Sequence, residues 1–153
     1  MGYVSDIRKK IGHDPLMIVG ASVILVNERG QTLLQRRADN GMWAYHGGST
    51  DLGESVESAA RRELLEETGL TAGDMTLLGV FSGPDMGYTY PNGDQAYIVD
   101  CVFVCRDYSG DIRPQEEEVS ELRWFSPDAL PAEISPTCRP ALYLWAGKAS
   151  AQR

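Results

Sequence analysis

Apolar residues along the chain fall into two rhythms. From Leu16 to Val26 they follow one another with interruptions only at Gly20 and Ser22, an Ile/Val-rich run that predicts a buried strand. The turn residues Asn27-Glu28-Arg29-Gly30 come next, and Thr32 to Arg37 returns as a second strand, so the two are expected to pair as a hairpin. Gln95 to Cys105 predicts a long strand, with shorter ones at Leu77 to Phe81 and Glu121 to Phe125. Tyr88 to Asp94 reads as a loop or hairpin tip turning on Pro91-Asn92-Gly93-Asp94. Helical spacing is confined to three places: a short segment over 5–11, the stretch from Val56 to Thr68, and a closing segment over 137–146. No repeat or linker interrupts this order. The expectation is one domain over 1–153, of class α/β, with a mixed sheet flanked by helices rather than a repeated βαβ array.

Composition adds little until charge is considered. Apolar residues make up 42% and charged residues 24% of the 153, an ordinary balance for a globular chain. The formal charge is −8, which argues against general nucleic-acid binding because such a chain gains nothing from counterion release. An anionic substrate would then need a local basic patch or a bound cation. Cys101, Cys105 and Cys138 lack metal-ligand spacing, and the first two, four residues apart on a strand, lie about 13 Å from each other. Three reduced thiols are expected. The N-terminal residues show no apolar stretch behind a cleavage site, and Leu16 to Val26 is too short to span a bilayer, so a cytoplasmic location away from membranes is expected.

The chemistry is concentrated between Gly47 and Leu70. Ser55 is a good N-cap, Glu57 suits the positive end of the helix dipole, and Gly69 supplies a left-handed stop, which bounds a helix at Val56 and Thr68. On that helix Glu63, Glu66 and Glu67 stand at i, i+3 and i+4, within an arc of about 100°. Ala60 and Leu64 lie beside the arc, where they can seat the helix on a sheet. Like charges at this spacing cost a few tenths of a kcal/mol, and Arg62 offsets only part of that through Glu66. The crowding makes sense if Mg²⁺ sits among the carboxylates and bridges to substrate phosphates, with Mn²⁺ as a second candidate ion. Glu54 precedes the helix on a loop that can turn back to the cluster, while Gly47 and Gly48 allow close backbone approach.

Gly48, Glu54, Arg62, Glu63, Leu64, Glu66, Glu67, Gly69 and Leu70 together fit the pattern G-x5-E-x7-R-E-U-x-E-E-x-G-U, where U is bulky and apolar. Glutamate-rich helices are common and an EE pair alone usually marks a solvated face, but this spacing is filled at every specified position. The chain resembles the Nudix hydrolase family, whose box this is. Gln35-Arg36-Arg37, Trp43 ahead of the double glycine, and the Glu121 to Phe125 strand extend the likeness over nearly the whole domain.

The resemblance implies an α/β/α sandwich with a loop-helix-loop catalytic segment over 47–70. It also implies hydrolysis of a nucleoside diphosphate linked to another moiety, such as a nucleotide sugar, ADP-ribose or a nucleoside triphosphate. Glu63, Glu66 and Glu67 would be metal-binding and base-positioning residues, with Glu63 or Glu66 as the base. Arg62 would orient them, Glu54 would support the loop or a metal, and the Gly47 carbonyl could join the coordination sphere. The family often adds an acid from outside the box, for which Glu117 and Glu118 are the candidates, although a solvated loop is the ordinary role of such a run. Two positions depart from the usual pattern: His46 stands where Pro is common and Asp51 where Glu is frequent. Arg36, Arg37, His46 and Tyr88 are the candidates for substrate contact, with Tyr45, Phe81 and Tyr90 as further rings for a base. Dimers are common in the family, and a homodimer stays open here. A non-catalytic nucleotide sensor on the same fold is the alternative function, but sensors usually lose box glutamates, and none is lost. An isomerase of this scaffold would need a cysteine near the site, and none lies within 1–100.

Overall fold

The computed structural model describes residues 2–113 and 119–148. Helix α1 (Tyr3–Ile11) leads into β1 (Leu16–Leu25), β2 (Thr32–Arg37), β3 (Trp43–Ala44) and β4 (His46–Ser49), then α2 (Val56–Thr68). Strands β5 (Thr71–Ala72), β6 (Met75–Phe81), β7 (Gly87–Thr89), β8 (Gln95–Cys105), β9 (Tyr108–Ser109) and β10 (Val119–Phe125) follow, and α3 (Arg139–Trp145) closes the chain after a 3₁₀ turn at Pro136–Cys138. The expected closing helix over 137–146 is thus split, because Pro140 fits the first turn of a helix but not its interior.

The main sheet runs β4-β1-β8-β6, with β7 also on β8. β1 and β8 pair in parallel over their whole lengths, from Leu16 opposite Ala96 to Leu25 opposite Cys105, while β4 and β6 are antiparallel to their neighbours. A second antiparallel sheet runs β10-β2-β3, and β5 pairs with β9. The hairpin expected between β1 and β2 is corrected here. Its turn forms, with Gly30 donating to the Asn27 carbonyl at 3.0 Å, but the strands share only the Val26–Thr32 bridge before entering different sheets. β1 is buried at every position from Gly20 onward, and the partner that covers its other edge is β8, far away in sequence. Tyr90 to Asp94 does close a tight turn, joining β7 to β8.

Two apolar clusters lie on opposite sides of these sheets. Ala59, Ala60 and Leu64 of α2 pack with Ala21, Val23, Leu33 and Phe103 on one side, and Ala141 and Leu142 of α3 pack with Ile24, Leu34, Trp43 and Val102 on the other. The layering is α/β/α, with the mixed main sheet and the antiparallel second sheet between the helices. Ser55 caps α2 by accepting from the Ser58 N–H at 3.1 Å, and Gly69 ends it at φ 83°, so the helix bounds match the local signals. Leu64 is fully buried beneath the glutamate face. Leu64→Ala is therefore expected to lower the unfolding free energy by about 2–5 kcal/mol in a urea titration; a loss below about 1 kcal/mol would show that α2 is not seated through this side chain.

Candidate active site

The acidic face of α2 meets β4, and the backbone of β4 explains the glycines. A Cβ added at Gly48 would lie 2.6 Å from the Glu63 carboxyl carbon, so any side chain there would displace Glu63. The Gly47 N–H donates to Glu67 Oε1 at 3.3 Å. Glu67 is itself buried and also accepts a short hydrogen bond from the Gln35 side-chain amide. Glu63 is hydrogen-bonded with Glu67, and burial together with that neighbour pushes its carboxyl up to about 7. Glu66 opens to solvent, with 51% of its side chain exposed. The three carboxylates thus share one face, from buried Glu67 through Glu63 to exposed Glu66.

Arg62 runs through this face rather than merely flanking it. Its Nε donates to Glu54 Oε2 at 2.8 Å, its Nη2 to Glu54 Oε1 at 3.0 Å and to the Ser49 carbonyl at 3.2 Å, and its Nη1 to Glu63 at 2.7 Å. Glu66, the one partner the spacing suggested, is the most distant at 3.5 Å. The planar guanidinium fork makes all these bonds at once, as an ammonium could not. Glu54 is held below the usual carboxylate range by Arg62, and its Oε1 also accepts from the Asp51 N–H. Both of its oxygens are thus committed to fixing the loop. The notion that cations alone make the crowding tolerable is corrected accordingly: Arg62, Gln35 and the Gly47 amide share the charge. Among the described residues no three acidic, His or Cys groups converge as a preformed metal cage. The all-oxygen donor set still suits a hard divalent ion, and the Glu63–Glu67 contact is one that two carboxylates make only with a proton or a cation between them.

His46 is sealed inside the fold and does not line the neighbouring cavity. It is fully buried, its Nε2–H donates to the Leu33 carbonyl at 3.0 Å, and burial pushes its pKa down to about 4. Its Nδ1 lies 3.6 Å from Glu67 Oε1, which would be an ion pair only for a protonated ring, so the neutral imidazole serves here as packing behind Glu67. Beside β4 a cavity of about 300 Å³ opens, at the lower end of small-molecule pockets. Arg37, Tyr88, Tyr90, Tyr45 and Gln35 line it; Arg36 and Phe81 do not. Strand alternation separates the two arginines: Arg37 shares the face of Gln35, whereas Arg36 points the other way, donates to the Gly41 carbonyl and lies over Trp43 at 5.8 Å. Arg37 is paired with Asp39 at 2.8 Å, and Tyr88 accepts from Asn40 at 3.0 Å. Val4 and Arg8 of α1 form part of the same wall. Glu117 and Glu118 lie outside the described residues. Sequence reasoning missed Gln35, Ser22 and Asp100, each a polar residue inside an otherwise apolar strand, and that mismatch was the available signal.

A carboxyl pushed up by burial makes a sign-definite prediction. Below its ordinary value of 4.5 Glu63 is protonated in both folded and unfolded chains, and stability is lost as the pH rises through about 7, where the folded protein must release that proton. Without divalent ions the urea midpoint is expected to fall between pH 4.5 and 7. Added Mg²⁺ should restore it at the upper end, and Glu63→Gln should flatten the profile. A midpoint that rises over this interval, or one indifferent to the Glu63 change, would remove the buried acid pair from the account.

A family model described as the NUDIX domain matches residues 17–145. A protein of Bacillus subtilis (strain 168), provisionally named an 8-oxo-dGTP diphosphatase, is 37% identical over 117 residues, covering 76% of this chain and 72% of the relative. The ADP-ribose pyrophosphatase of Methanocaldococcus jannaschii is 33% identical over 110 residues, 70% of this chain and 61% of that protein. Among solved structures, the MutT NUDIX hydrolase from Burkholderia pseudomallei superposes with a TM-score of 0.71 at 30% identity, covering 84% of this chain and 97% of that one. Among the described residues no helix is long and apolar enough to cross a membrane.

Proposed function

The chain belongs to the Nudix hydrolases, a family that generally uses divalent metal ions, and from that premise we propose that it cleaves the pyrophosphate link of a small nucleoside diphosphate derivative with Mg²⁺. The observation that carries the reading is the graded acidic face of α2, buried at Glu67 and open at Glu66, set beside a cavity large enough for a nucleotide. Relatives named for ADP-ribose and for 8-oxo-dGTP differ in what the diphosphate carries, which leaves the shared diphosphate as the substrate class. The net charge of −8 favours a small nucleotide over a polynucleotide, and a reduced, cytoplasmic setting suits three free thiols.

Glu63, Glu66 and Glu67 would hold the metal, with Mn²⁺ as an alternative ion and the Gly47 carbonyl as a further ligand. Bound there, such an ion supplies charge neutralisation at the phosphate oxygens. The chain's own residues do the rest. Gln35 and the Gly47 amide fix Glu67, while His46 closes the space behind it. Arg62 sets the Glu63 rotamer and, through Glu54 and the Ser49 carbonyl, the loop ahead of the helix. A water entering past exposed Glu66 is oriented for attack on phosphorus, and Glu63 or Glu66 takes its proton. Arg37 and Tyr88 face the cavity, where they can meet the phosphates and the attached group.

Hydrolysis of ADP-ribose, nucleotide sugars and nucleoside triphosphates with and without Mg²⁺ separates this enzyme from a sensor that binds without cleaving. Glu63→Gln and Glu66→Gln are each expected to lower kcat by about 10²–10⁴-fold with the fold retained. The variant whose pH profile loses its acidic limb identifies the proton acceptor. Turnover that is metal-independent, or unchanged in both variants, would defeat the assignment.

A further inference from the structure

Helix α2 covers only one end of the sheet face on which it lies. Its cluster takes in Ala21 and Val23 of β1 with Phe103 and Cys105 of β8, the later part of each strand. The earlier part carries Met17 and Val19 on β1 and Tyr97 on β8, which strand alternation turns to the same side. Leu77 and Val80 of β6 join them, because the irregularity after Leu77 sets both opposite residues of that side, Phe103 and Cys101. All five side chains are exposed, by between 43% and 69%. Tyr97 is laid over β7: a Cβ on Gly87 would stand 2.8 Å from its ring. The cavity occupies the other side of the same strand ends, where Ile18 and Ile98 line it. A sheet face turned to water is ordinarily polar, yet this one is apolar on three adjacent strands.

We propose that this face is the contact surface of a homodimer, in which a second copy of the chain supplies the layer that α2 leaves out. Area favours a copy. Each of the five side chains leaves on the order of 100 Å² in water, so a pair of copies would bury about 1,000 Å², the area at which a specific interface begins. Half-buried Val99 and Cys101 lie between them and add to it. Charge favours a copy as well. A chain of net charge −8 repels its like except through an uncharged surface, and the strand positions here are uncharged out to Gln95 and Thr89 at the margin. A lipid surface would call for lysine or arginine among these positions to meet anionic headgroups, and they carry none. Nor do residues 114–118 and 149–153 hold a bulky apolar side chain that could cover the face. A twofold axis lets one patch serve both copies. Since the cavity lies on the opposite side of the sheet, pairing leaves it open.

Sedimentation velocity of the full chain over about 1–100 μM, the range in which so small an interface associates, should show monomer passing into dimer. Val80→Glu and, separately, Met17→Lys put a charge where the folded monomer tolerates it but an apolar interface would bury it unpaired. Each is expected to weaken association about tenfold or more, with the thermal midpoint of the monomer unchanged. Raising NaCl from about 50 to 500 mM should keep or strengthen the wild-type dimer, because salt screens the repulsion between acidic copies. Hydroxyl-radical footprinting of the wild type needs no variant: Met17 and Tyr97 should be oxidised less at the high concentration than at the low, while Leu144 on α3 is oxidised equally at both. A wild type that stays monomeric overturns the proposal, whether lipid vesicles or another protein then occupy the face. So does a dimer that both variants leave intact, one that salt dissolves, or one that leaves Met17 and Tyr97 unprotected.

Discussion

Everything at the site depends on holding negative charge at high density on one helix face without letting it unfold the loop in front. Arg62 is the means. Its bonds to Glu54, Glu63 and the Ser49 carbonyl join helix, loop and strand through one rigid guanidinium. The compensation is partial: burial, with Glu67 beside it, pushes the Glu63 carboxyl up to about 7, and Glu66 meets Arg62 at 3.5 Å.

The same arithmetic accounts for the protein's acidity. A net charge of −8 would repel nucleotides if it acted alone. Around the cavity, however, the acids are met by internal donors. Arg37 is tied to Asp39, Arg8 to backbone carbonyls at the turn before β1 and to the start of β8, and Asp100 to two hydroxyls. Side chains around the cavity therefore arrive already oriented, which reduces the ordering cost of binding.

Helix α1 shows how a segment outside the matched family region shapes the site. Residues 17–145 carry the family match, yet Val4 and Arg8 line the cavity, and the Tyr3 amide donates to Asp51 on the loop before α2. Asp51 thereby gains a structural role: its carboxylate also lies so near Gly2 that a Cβ there would stand 2.6 Å from Oδ1. Arg8 of this helix fastens it to the β-sheet layer through the Gln95 carbonyl at the start of β8.

What the residues alone determined was local. Helix α2 begins at a capping serine and ends at a left-handed glycine, both interactions between neighbours in sequence, and the glutamate spacing follows from helical periodicity. The strand β8 was bounded by its own apolar run for the same reason. Tertiary structure decided everything that turns on which distant segment meets which. It sent β1 to β8 rather than into a hairpin with β2, gave Arg62 chiefly to Glu54 and Glu63 rather than Glu66, sealed His46 behind Glu67, and brought Gln35, Ser22 and Asp100 to the cavity. Such pairings are settled by burying whole faces and satisfying buried polar groups across the fold, and neither requirement is written in any single stretch of chain.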